Sequence, residues 1–293
     1  MVSRPGTTPD HVGAGAVMVG VLSQIDAADP RVQELMSSLV MHAHAFICEN
    51  EVTWDEWLTG LDFLARVGRW TTPDRNEFLL MSDISGSSAL LNALNRHQPW
   101  IPAHATGKRA VSRTAPVRRM GDVIATEEEW ADGDWALVHG RVLDTDHEPV
   151  AGARMDIRQA RGSLHFTSQA GGPSALLITG ADGRYRFRTV RPRSYSLPAD
   201  GPGGEWLRVA GCQPVRPGHI LASVEARSHR RLDTRLFAAD DPLLHLDPAV
   251  GVKDARVLEF PLNDDPAAIE AAGMPGPYFD VSCDLVLVPD TRV

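Results

Sequence analysis

The first part of the chain has apolar residues at helical spacing. Beginning after Asp29, they recur every three or four positions, at Val32, Leu35, Met36, Leu39, Val40, Ala43 and Phe46. This spacing predicts an amphipathic helix with Pro30 in its first turn. Residues 1–30 show no comparable pattern, so we expect a mobile tail that runs into this helix.

Three more helices are predicted before residue 98. Thr53 and Glu56 have the spacing of a capping box, and the helix that they begin is expected to close at Gly68. A third helix is expected to start near Thr72 and Pro73, and a fourth reads SSALLNALNRH. The pattern therefore predicts a helical domain over residues 31–97. Residues 98–134 are rich in Pro, Gly and charge clusters and are expected to form a long connection.

From Trp135 onwards the pattern changes to short alternating runs bounded by Gly, Pro and Asp. These runs are WALVHGRVLD, ARMDIRQA, GRYRFRTV, HILASVEAR, DTRLFAA, ARVLEFPL and FDVSCDLVLV. Short strands at this spacing favour an all-β sandwich or barrel over residues 135–293. The segment TDHEPVAG between the first two runs is interpreted as a hairpin turn. The predicted fold class is α+β, mainly β, with a helical domain followed by an antiparallel β-sandwich.

Composition and charge narrow the range of partners. A chain of 293 residues with 43% hydrophobic content can bury a large core without a disulfide or a metal. Its formal net charge of −9 argues against nucleic acid and anionic membrane as partners. No apolar run approaches the roughly 20 residues that span a bilayer. We expect a cytoplasmic protein with a small, uncharged or aromatic ligand.

Two stretches together carry a resemblance to a known family. The segment LVMHAHAFICENEVTWDEWLTGLDFLARVGRW resembles the N-terminal helical domain of hydroxyquinol and catechol 1,2-dioxygenases. The segments VHGRVLDTDHEPVAGARMDIRQA and SYSLPADGP resemble their catalytic β-sandwich in order and spacing. The resemblance to these intradiol ring-cleavage dioxygenases implies an aromatic substrate and a non-haem ferric ion held by two tyrosinates and two histidines. It also implies a homodimer formed through the N-terminal helices, whose apolar faces could equally well pack wholly against the sandwich.

One tyrosine and one histidine of this ligand set have counterparts here. Tyr195 matches the tyrosine that, by resemblance, leaves the metal and takes up a substrate proton; the alternative is a packed loop tyrosine bonded to a backbone carbonyl. Asp200 follows in register and is assigned to substrate binding. In the family two histidines stand two residues apart on one strand face; here His219 holds the first position, and Leu221, which cannot coordinate a metal, holds the second.

The first tyrosine of the family is replaced. His165 is expected to take its position, and Phe166 is the alternative because the alignment is loose by a residue or two. With His165 the site has three ligands and could prefer Fe(II), Cu or Zn; without it only Tyr195 and His219 remain. Non-haem iron and a metal-free site are therefore equally open.

Two arginines complete the expected site. By resemblance, Arg216 lies beside the bound ring and stabilises developing negative charge. A neighbouring arginine is also expected to lower the pKa of Tyr195. Arg235 falls where the family has a polar active-site residue, and a solvated strand arginine is an equal alternative. Leu221 and Arg235 are both placed among the residues that contact the substrate.

Three functions remain open from the sequence. The first is an intradiol dioxygenase-like enzyme with altered chemistry, acting on an electron-rich phenol, catechol or hydroxyquinol-type ring. The second is a metal-free isomerisation, cyclisation or hydrolysis that uses Tyr195, Arg216 and His219. The third is a non-catalytic homologue that binds a ligand.

Overall fold

The computed structural model describes residues 11–72, 75–94, 115–159, 173–248 and 256–290. The helices in these ranges are α1 (His11–Leu22), α2 (Pro30–Glu49), α3 (Trp54–Trp70), α4 (Glu77–Ile84), α5 (Ser87–Leu94), α6 (Glu127–Ala131), α7 (Pro202–Val209) and α8 (Pro266–Ala272). The strands are β1 (Trp135–Asp144), β2 (Arg154–Gln159), β3 (Ser174–Ile178), β4 (Arg184–Val190), β5 (Tyr195–Ser196), β6 (Val215–Arg216), β7 (His219–Glu225), β8 (Leu232–Ala238), β9 (Arg256–Leu258), β10 (Leu262–Asn263), β11 (Tyr278–Ser282) and β12 (Leu285–Leu287).

The first long helices both begin at capping residues, of which only the capping box of α3 was predicted. Asp29 caps α2 by accepting a hydrogen bond from the backbone N–H of Arg31 at 2.7 Å. In α3 the capping box closes in both directions, because Thr53 N–H donates to the Glu56 carboxylate at 2.8 Å and Glu56 N–H donates to the Thr53 hydroxyl at 3.3 Å. These caps satisfy N–H groups that lack partners within the first turn. Both helices are confirmed, but the predicted end of α3 at Gly68 is wrong, because the helix continues to Trp70.

Two helices differ from their predicted extent. Residues 11–22 form α1 within the segment that was expected to be a tail. Helix α4 begins at Glu77, later than predicted, because the Asn76 side chain accepts from the Leu79 N–H at 3.0 Å and sets the first turn there. No helix within the described residues is long and apolar enough to cross a membrane.

Contacts divide the chain into two units, residues 1–65 and 66–293, with the division inside α3. The first unit contains α1, which packs against α2. In the second unit α4 contacts both α5 and α7. Helices α4 and α5 are therefore packed with elements of the sheet-containing unit, although they belong to the helical part of the sequence.

Among the described residues the second unit contains two five-stranded sheets, besides the short pair β5-β6. The first has the strand order β10-β11-β1-β12 with β4 also paired to β1, and the second has the order β3-β2-β7-β8-β9. The buried core contains Val138 and Phe187 from the first sheet and Ile157 and Ile220 from the second. Because both sheets contribute to one core, the predicted α+β, mainly β, fold with a sandwich is confirmed.

The pairing within the sheets is mixed rather than purely antiparallel. Strand β1 runs parallel to β11 and to β12, and β8 runs parallel to β9. The segment TDHEPVAG does turn sharply, since Asp144 N–H donates to the Glu148 carbonyl at 2.9 Å. The predicted hairpin turn is confirmed by the antiparallel bridge between Leu143 and Pro149, although the turn does not pair β1 with β2, which lie in different sheets. Alternation of apolar residues predicts a strand but does not identify its partner.

Candidate functional site

Three of the predicted site residues are brought together by two short strands and the start of a third. Strands β5 and β6 pair antiparallel, with Tyr195 opposite Arg216. Strand β7 begins three residues after Arg216, at His219. All three residues are buried, with 7%, 6% and 3% of their surfaces exposed respectively. The chain therefore places a phenol, a guanidinium and an imidazole in one region shielded from solvent.

A glycine allows the close approach of these segments. A Cβ atom at Gly218 would lie 2.5 Å from the backbone carbon of Pro192 and 2.6 Å from that of Arg193. No side chain fits at such a distance, so the segment before Tyr195 can press against the start of β7 only with glycine here. The Asp241 carboxylate joins the same segments, because it accepts from Gly218 N–H at 3.1 Å and from the Ser194 hydroxyl at 2.8 Å.

The ring of His219 has a defined orientation. Its Nδ1 lies 3.0 Å from the Pro217 carbonyl oxygen, which can only accept, so Nδ1 carries a proton and donates. In the neutral ring Nε2 is then the atom with the lone pair. The ring centroid lies 6.0 Å from that of Tyr195 and 5.0 Å from that of Phe237. Contacts on several sides thus fix the imidazole beside the phenol.

Arg216 is held by a buried carboxylate. Its Nε and one terminal nitrogen donate to the two oxygens of Asp247 at 2.8 and 3.1 Å, and the two side chains are 7% and 2% exposed. Burial acts to lower the pKa of Arg216, but the nearby Tyr195 and Asp247 raise it by more, so the guanidinium stays charged. The bidentate pair fixes the plane of the guanidinium group.

A row of three residues crosses the second sheet next to His219. Leu221 lies opposite Arg158 of β2 on one side and opposite Arg235 of β8 on the other. Ile220 belongs to the core of the sandwich, so Leu221 points to the other face, the one that His219 occupies. Arg158 forms an ion pair with Asp156 at 2.9 Å. Leu221 is therefore flanked by two arginines.

Arg235 is not a solvated surface residue. The residue is only partly exposed, and its Nε is shielded from solvent. Burial lowers its pKa, and the positive charge of Arg216 lowers it further, whereas Asp247 and Asp83 raise it. Arg216, Arg235, Asp83 and Asp247 therefore form one electrostatic cluster, because each of the two arginines interacts with both aspartates.

Asp83 of α4 belongs to this cluster and was missed in the sequence. Burial raises its pKa, while a hydrogen bond with Ser88 and the charges of Arg216 and Arg235 lower it by less. The signal was available, since an acidic residue inside the apolar run LLMSDI is unusual unless it has a partner. Asp247, which lies between apolar residues in LLHLDP, carried the same signal.

The pKa of Tyr195 differs from the expectation. Burial raises it, and the neighbouring Arg216 and Arg235 lower it by a smaller amount. The expected effect of an arginine is thus present, but the cost of placing a phenolate in a buried position is greater.

Asp200 lies apart from the cluster. Its side chain is 66% exposed, and it accepts a hydrogen bond from Arg75 at 2.8 Å, which lowers its pKa. Arg75 in turn donates to Glu77 at 2.8 Å. Asp200 lines an open groove of about 570 Å³ together with Trp70 and Arg208, and the groove does not include Tyr195 or His219 among its lining residues. The structure thus joins Asp200 to α4 rather than to the buried tyrosine.

A four-ligand ferric site does not fit the described residues. Tyr195 and His219 adjoin, and a histidine whose Nδ1 donates to a carbonyl is oriented as metal ligands usually are. The next position is Leu221, which offers no donor atom and lies opposite the cationic Arg235. His165 and Phe166 lie outside the described residues. Among the residues that are described, no group of three His, Cys, Asp or Glu could hold a metal ion.

Two family models match consecutive parts of the chain. The one described as "Catechol dioxygenase N terminus" matches residues 29–100, and the one described as "Dioxygenase" matches residues 110–288. Together they cover the helical part and the sheet-containing part.

Named relatives match over nearly the whole length. A hydroxyquinol 1,2-dioxygenase of Rhizobium sp. (strain MTP-10005) is 36% identical over 89% of this chain and 90% of its own. A hydroxyquinol 1,2-dioxygenase of Nocardioides simplex is 35% identical over 98% of this chain and 100% of its own. The solved structure of hydroxyquinol 1,2-dioxygenase from Pseudomonas putida DLL-E4 superposes with a TM-score of 0.82 at 31% identity, covering 95% of this chain and 99% of that one.

Proposed function

This chain belongs to the intradiol ring-cleavage dioxygenase family, and we propose that it is an enzyme with altered chemistry that acts on an electron-rich phenol, catechol or hydroxyquinol-type ring. The substrate class follows from relatives named hydroxyquinol 1,2-dioxygenase that match almost end to end. Function depends on the site rather than on the fold, so the residues of this chain decide the reaction.

One observation carries the proposal. Tyr195, Arg216 and His219 are buried side by side, while the next position on the site face of β7 is Leu221. The groups that exchange protons and stabilise negative charge are retained, and a metal-binding group is replaced. This combination favours a reaction on an oxygenated ring that does not depend on the four-ligand ferric ion.

Each of the three groups has a role in such a reaction. The Nε2 atom of neutral His219 can accept a proton from a ring hydroxyl, because the Pro217 carbonyl fixes the proton on Nδ1. The Tyr195 hydroxyl can donate a hydrogen bond to the ring oxygen or return a proton to the ring. Arg216, oriented by Asp247, stabilises the negative charge that develops on the ring as the hydroxyl proton leaves.

Turnover and metal content together test this function. The purified chain should consume hydroxyquinol or catechol with less than stoichiometric iron, and the activity should survive a strong iron chelator. Tyr195→Phe and His219→Gln should each reduce kcat/KM by about 10²–10⁴-fold, the usual contribution of a positioned proton-transfer group. Substrate loss and products are followed by liquid chromatography, oxygen uptake by an electrode, and metal by elemental analysis.

Tyr278→Phe is the matched control, because it makes the same change at a buried tyrosine of β11, in the first five-stranded sheet, and should leave kcat/KM unchanged. Two outcomes would contradict the proposal. Stoichiometric iron with a visible charge-transfer band that Tyr195→Phe abolishes would indicate ordinary intradiol cleavage. Ring binding without turnover, across phenols, catechols and hydroxyquinols, would indicate a non-catalytic homologue.

We also propose that the protein is a homodimer formed through its N-terminal helices. All 20 residues of α2 are described, and none of them is buried. Large apolar side chains on α2 are exposed, including Leu35 at 52%, Leu39 at 71% and Phe46 at 54%. Exposed apolar surface of this extent is typical of an interface with another chain.

A further inference from the structure

We propose that Asp241 is a positioning residue for the reaction, because its carboxylate sets the placement of Tyr195 relative to His219. This inference rests on the proposed function, in which these two side chains transfer protons to and from an oxygenated ring. Asp241 is not one of the proton-transfer groups, and its effect on the rate comes through the backbone positions that it joins.

One oxygen of the Asp241 carboxylate joins two segments of the site. Its Oδ2 atom accepts a hydrogen bond from the Ser194 hydroxyl at 2.8 Å and another from the Gly218 N–H at 3.1 Å. Ser194 immediately precedes Tyr195, and Gly218 immediately precedes His219. The carboxylate therefore links the residue next to the phenol with the residue next to the imidazole.

Backbone pairing between these two segments ends just before the bridge that Asp241 makes. Strands β5 and β6 are two residues long each, and their ladder ends with Tyr195 opposite Arg216. Ser194 and Gly218 lie beyond this end and are not part of the ladder. The two hydrogen bonds to Asp241 oppose separation of the segments there, whereas close packing at Gly218 only limits how near they approach.

Asp241 is itself anchored to the sheet that carries His219. Its backbone N–H donates to the carbonyl of Ala238, the last residue of β8, at 3.1 Å. Its other carboxylate oxygen, Oδ1, accepts from the Leu243 N–H at 2.9 Å. Strand β8 pairs with β7, of which His219 is the first residue. A side chain held by such contacts keeps a fixed position, which is what a positioning residue requires.

The turn that Asp241 begins leads to the partner of Arg216. The Asp241 carbonyl accepts from the Leu244 N–H at 3.2 Å, and a short 3-10 helix, Leu244–Leu246, follows and is capped by Asp247. Asp247 holds Arg216 through the bidentate pair. Asp241 thus contacts all three segments that place the reacting groups. A displacement of about 1 Å between such groups lowers a reaction rate by about 10²-fold.

Turnover of hydroxyquinol and catechol by Asp241 variants tests this role. Asp241→Ala removes the acceptor of all three hydrogen bonds, so kcat should fall about 10-fold to 100-fold while KM changes by less than about threefold. This split is expected because proton transfer needs a well-defined geometry, whereas binding of an apolar ring tolerates a small displacement. Asp241→Asn keeps one acceptor oxygen, so its kcat should lie between those of the wild type and Asp241→Ala.

Ser194 provides a milder test of the same bridge. Ser194→Ala removes only one hydrogen bond, so kcat should fall roughly threefold to tenfold. Ser194→Thr retains the hydroxyl and should restore kcat to within about twofold of the wild type. This rescue distinguishes the hydrogen bond from a general loss of stability, because both substitutions are made at the same exposed residue.

Asp284→Ala is the matched control. The Asp284 carboxylate also accepts from the backbone N–H of a distant segment, that of Arg141 at 2.8 Å, but it lies between β11 and β12. Its removal should leave kcat and KM unchanged. Thermal unfolding of every variant is recorded, and kcat is given per folded chain as measured by circular dichroism.

The outcomes separate this role from the proposed function. An active wild type whose kcat is unaffected by Asp241→Ala would overturn the role of Asp241 and leave the proposed function standing. A rise in KM without a fall in kcat, or a Ser194→Thr variant no faster than Ser194→Ala, would do the same. A wild type that turns over neither ring would overturn both. A fall in kcat for Asp241→Ala, with recovery in Ser194→Thr and no loss in Asp284→Ala, would support the proposal.

Discussion

Arg216 and Asp247 show how a single pair of residues shapes the site. Their side chains are 7% and 2% exposed, so each charge is stabilised by the other instead of by water. Such a pair contributes little net stability compared with apolar residues, but losing one partner leaves a buried charge without compensation. The pair fixes the plane of the Arg216 guanidinium, on the residue that lies opposite Tyr195 in the β5–β6 pair.

Asp247→Asn should therefore lower the free energy of unfolding by about 3–5 kcal/mol, measured by urea denaturation. Glu34→Gln is the control, because it makes the equivalent change in the Arg31–Glu34 pair, where both side chains are 66% exposed. Exposed pairs contribute little, so its effect should stay below about 1 kcal/mol. Equal effects of the two substitutions would mean that burial does not make the Asp247 carboxylate important.

At the scale of elements, α4 and α7 are joined by one buried carboxylate. Glu77, which is fully buried, accepts from the Gly203 N–H at 2.8 Å and from Arg75 at 2.8 Å. Arg75 also binds Asp200, just before α7. A Cβ atom at Gly203 would lie 2.6 Å from the Leu80 side chain, so the two helices are in close contact. The loop that follows Tyr195 is thereby attached to α4.

Glu77→Gln should weaken this attachment. An amide is uncharged and has one acceptor oxygen instead of two, so one of the two donors loses its acceptor and the other keeps only a neutral one. The free energy of unfolding should fall by about 1–3 kcal/mol. Hydrogen exchange of the Gly203 amide, followed by mass spectrometry of peptides over 197–209, should become faster. Glu270→Gln on the exposed face of α8 should change stability by no more than about 0.5 kcal/mol and leave this exchange rate unchanged. Unaltered exchange in Glu77→Gln would contradict the attachment.

At the scale of the whole molecule, the helices of the first unit expose apolar surface that a lone chain would leave in water. On α3, Trp54 is 76% exposed and Leu58 is 55% exposed, in addition to the exposed leucines of α2. Burying such surface is favourable by roughly 25 cal/mol for each Å² removed from water. This is the physical basis for the proposed homodimer.

Light scattering at micromolar concentration should give the mass of two chains, and Leu39→Glu should shift it to one. A charge in an apolar interface must be desolvated without a partner, and this penalty exceeds the free energy that burial of a single leucine provides. Leu262→Glu is the matched control, because Leu262 on β10 is 61% exposed but lies in the other unit, and it should keep the dimer. A monomeric wild type would rule out the dimer.

The sequence by itself determined the types of most elements. Periodicity predicted α2, α3 and β1, Pro30 marked the first turn of α2, and a capping box marked the start of α3, because these properties depend on residues only a few positions apart. Motif order similarly placed Tyr195, Arg216 and His219 in one region. The domain limits 31–97 and 135–293 remain predictions.

Only the tertiary structure decided what surrounds these residues. Arg235 lies opposite Leu221 through strand register, and Asp83 and Asp247 reach the arginines from distant parts of the chain. The tertiary structure also decided the partners of β1 and β2, which are neighbours in sequence but belong to different sheets. Long-range pairing depends on how whole faces of the sheets pack, and no local sequence pattern contains this information. Burial, which is a result of that packing, raises the pKa of Tyr195 by more than the neighbouring Arg216 lowers it.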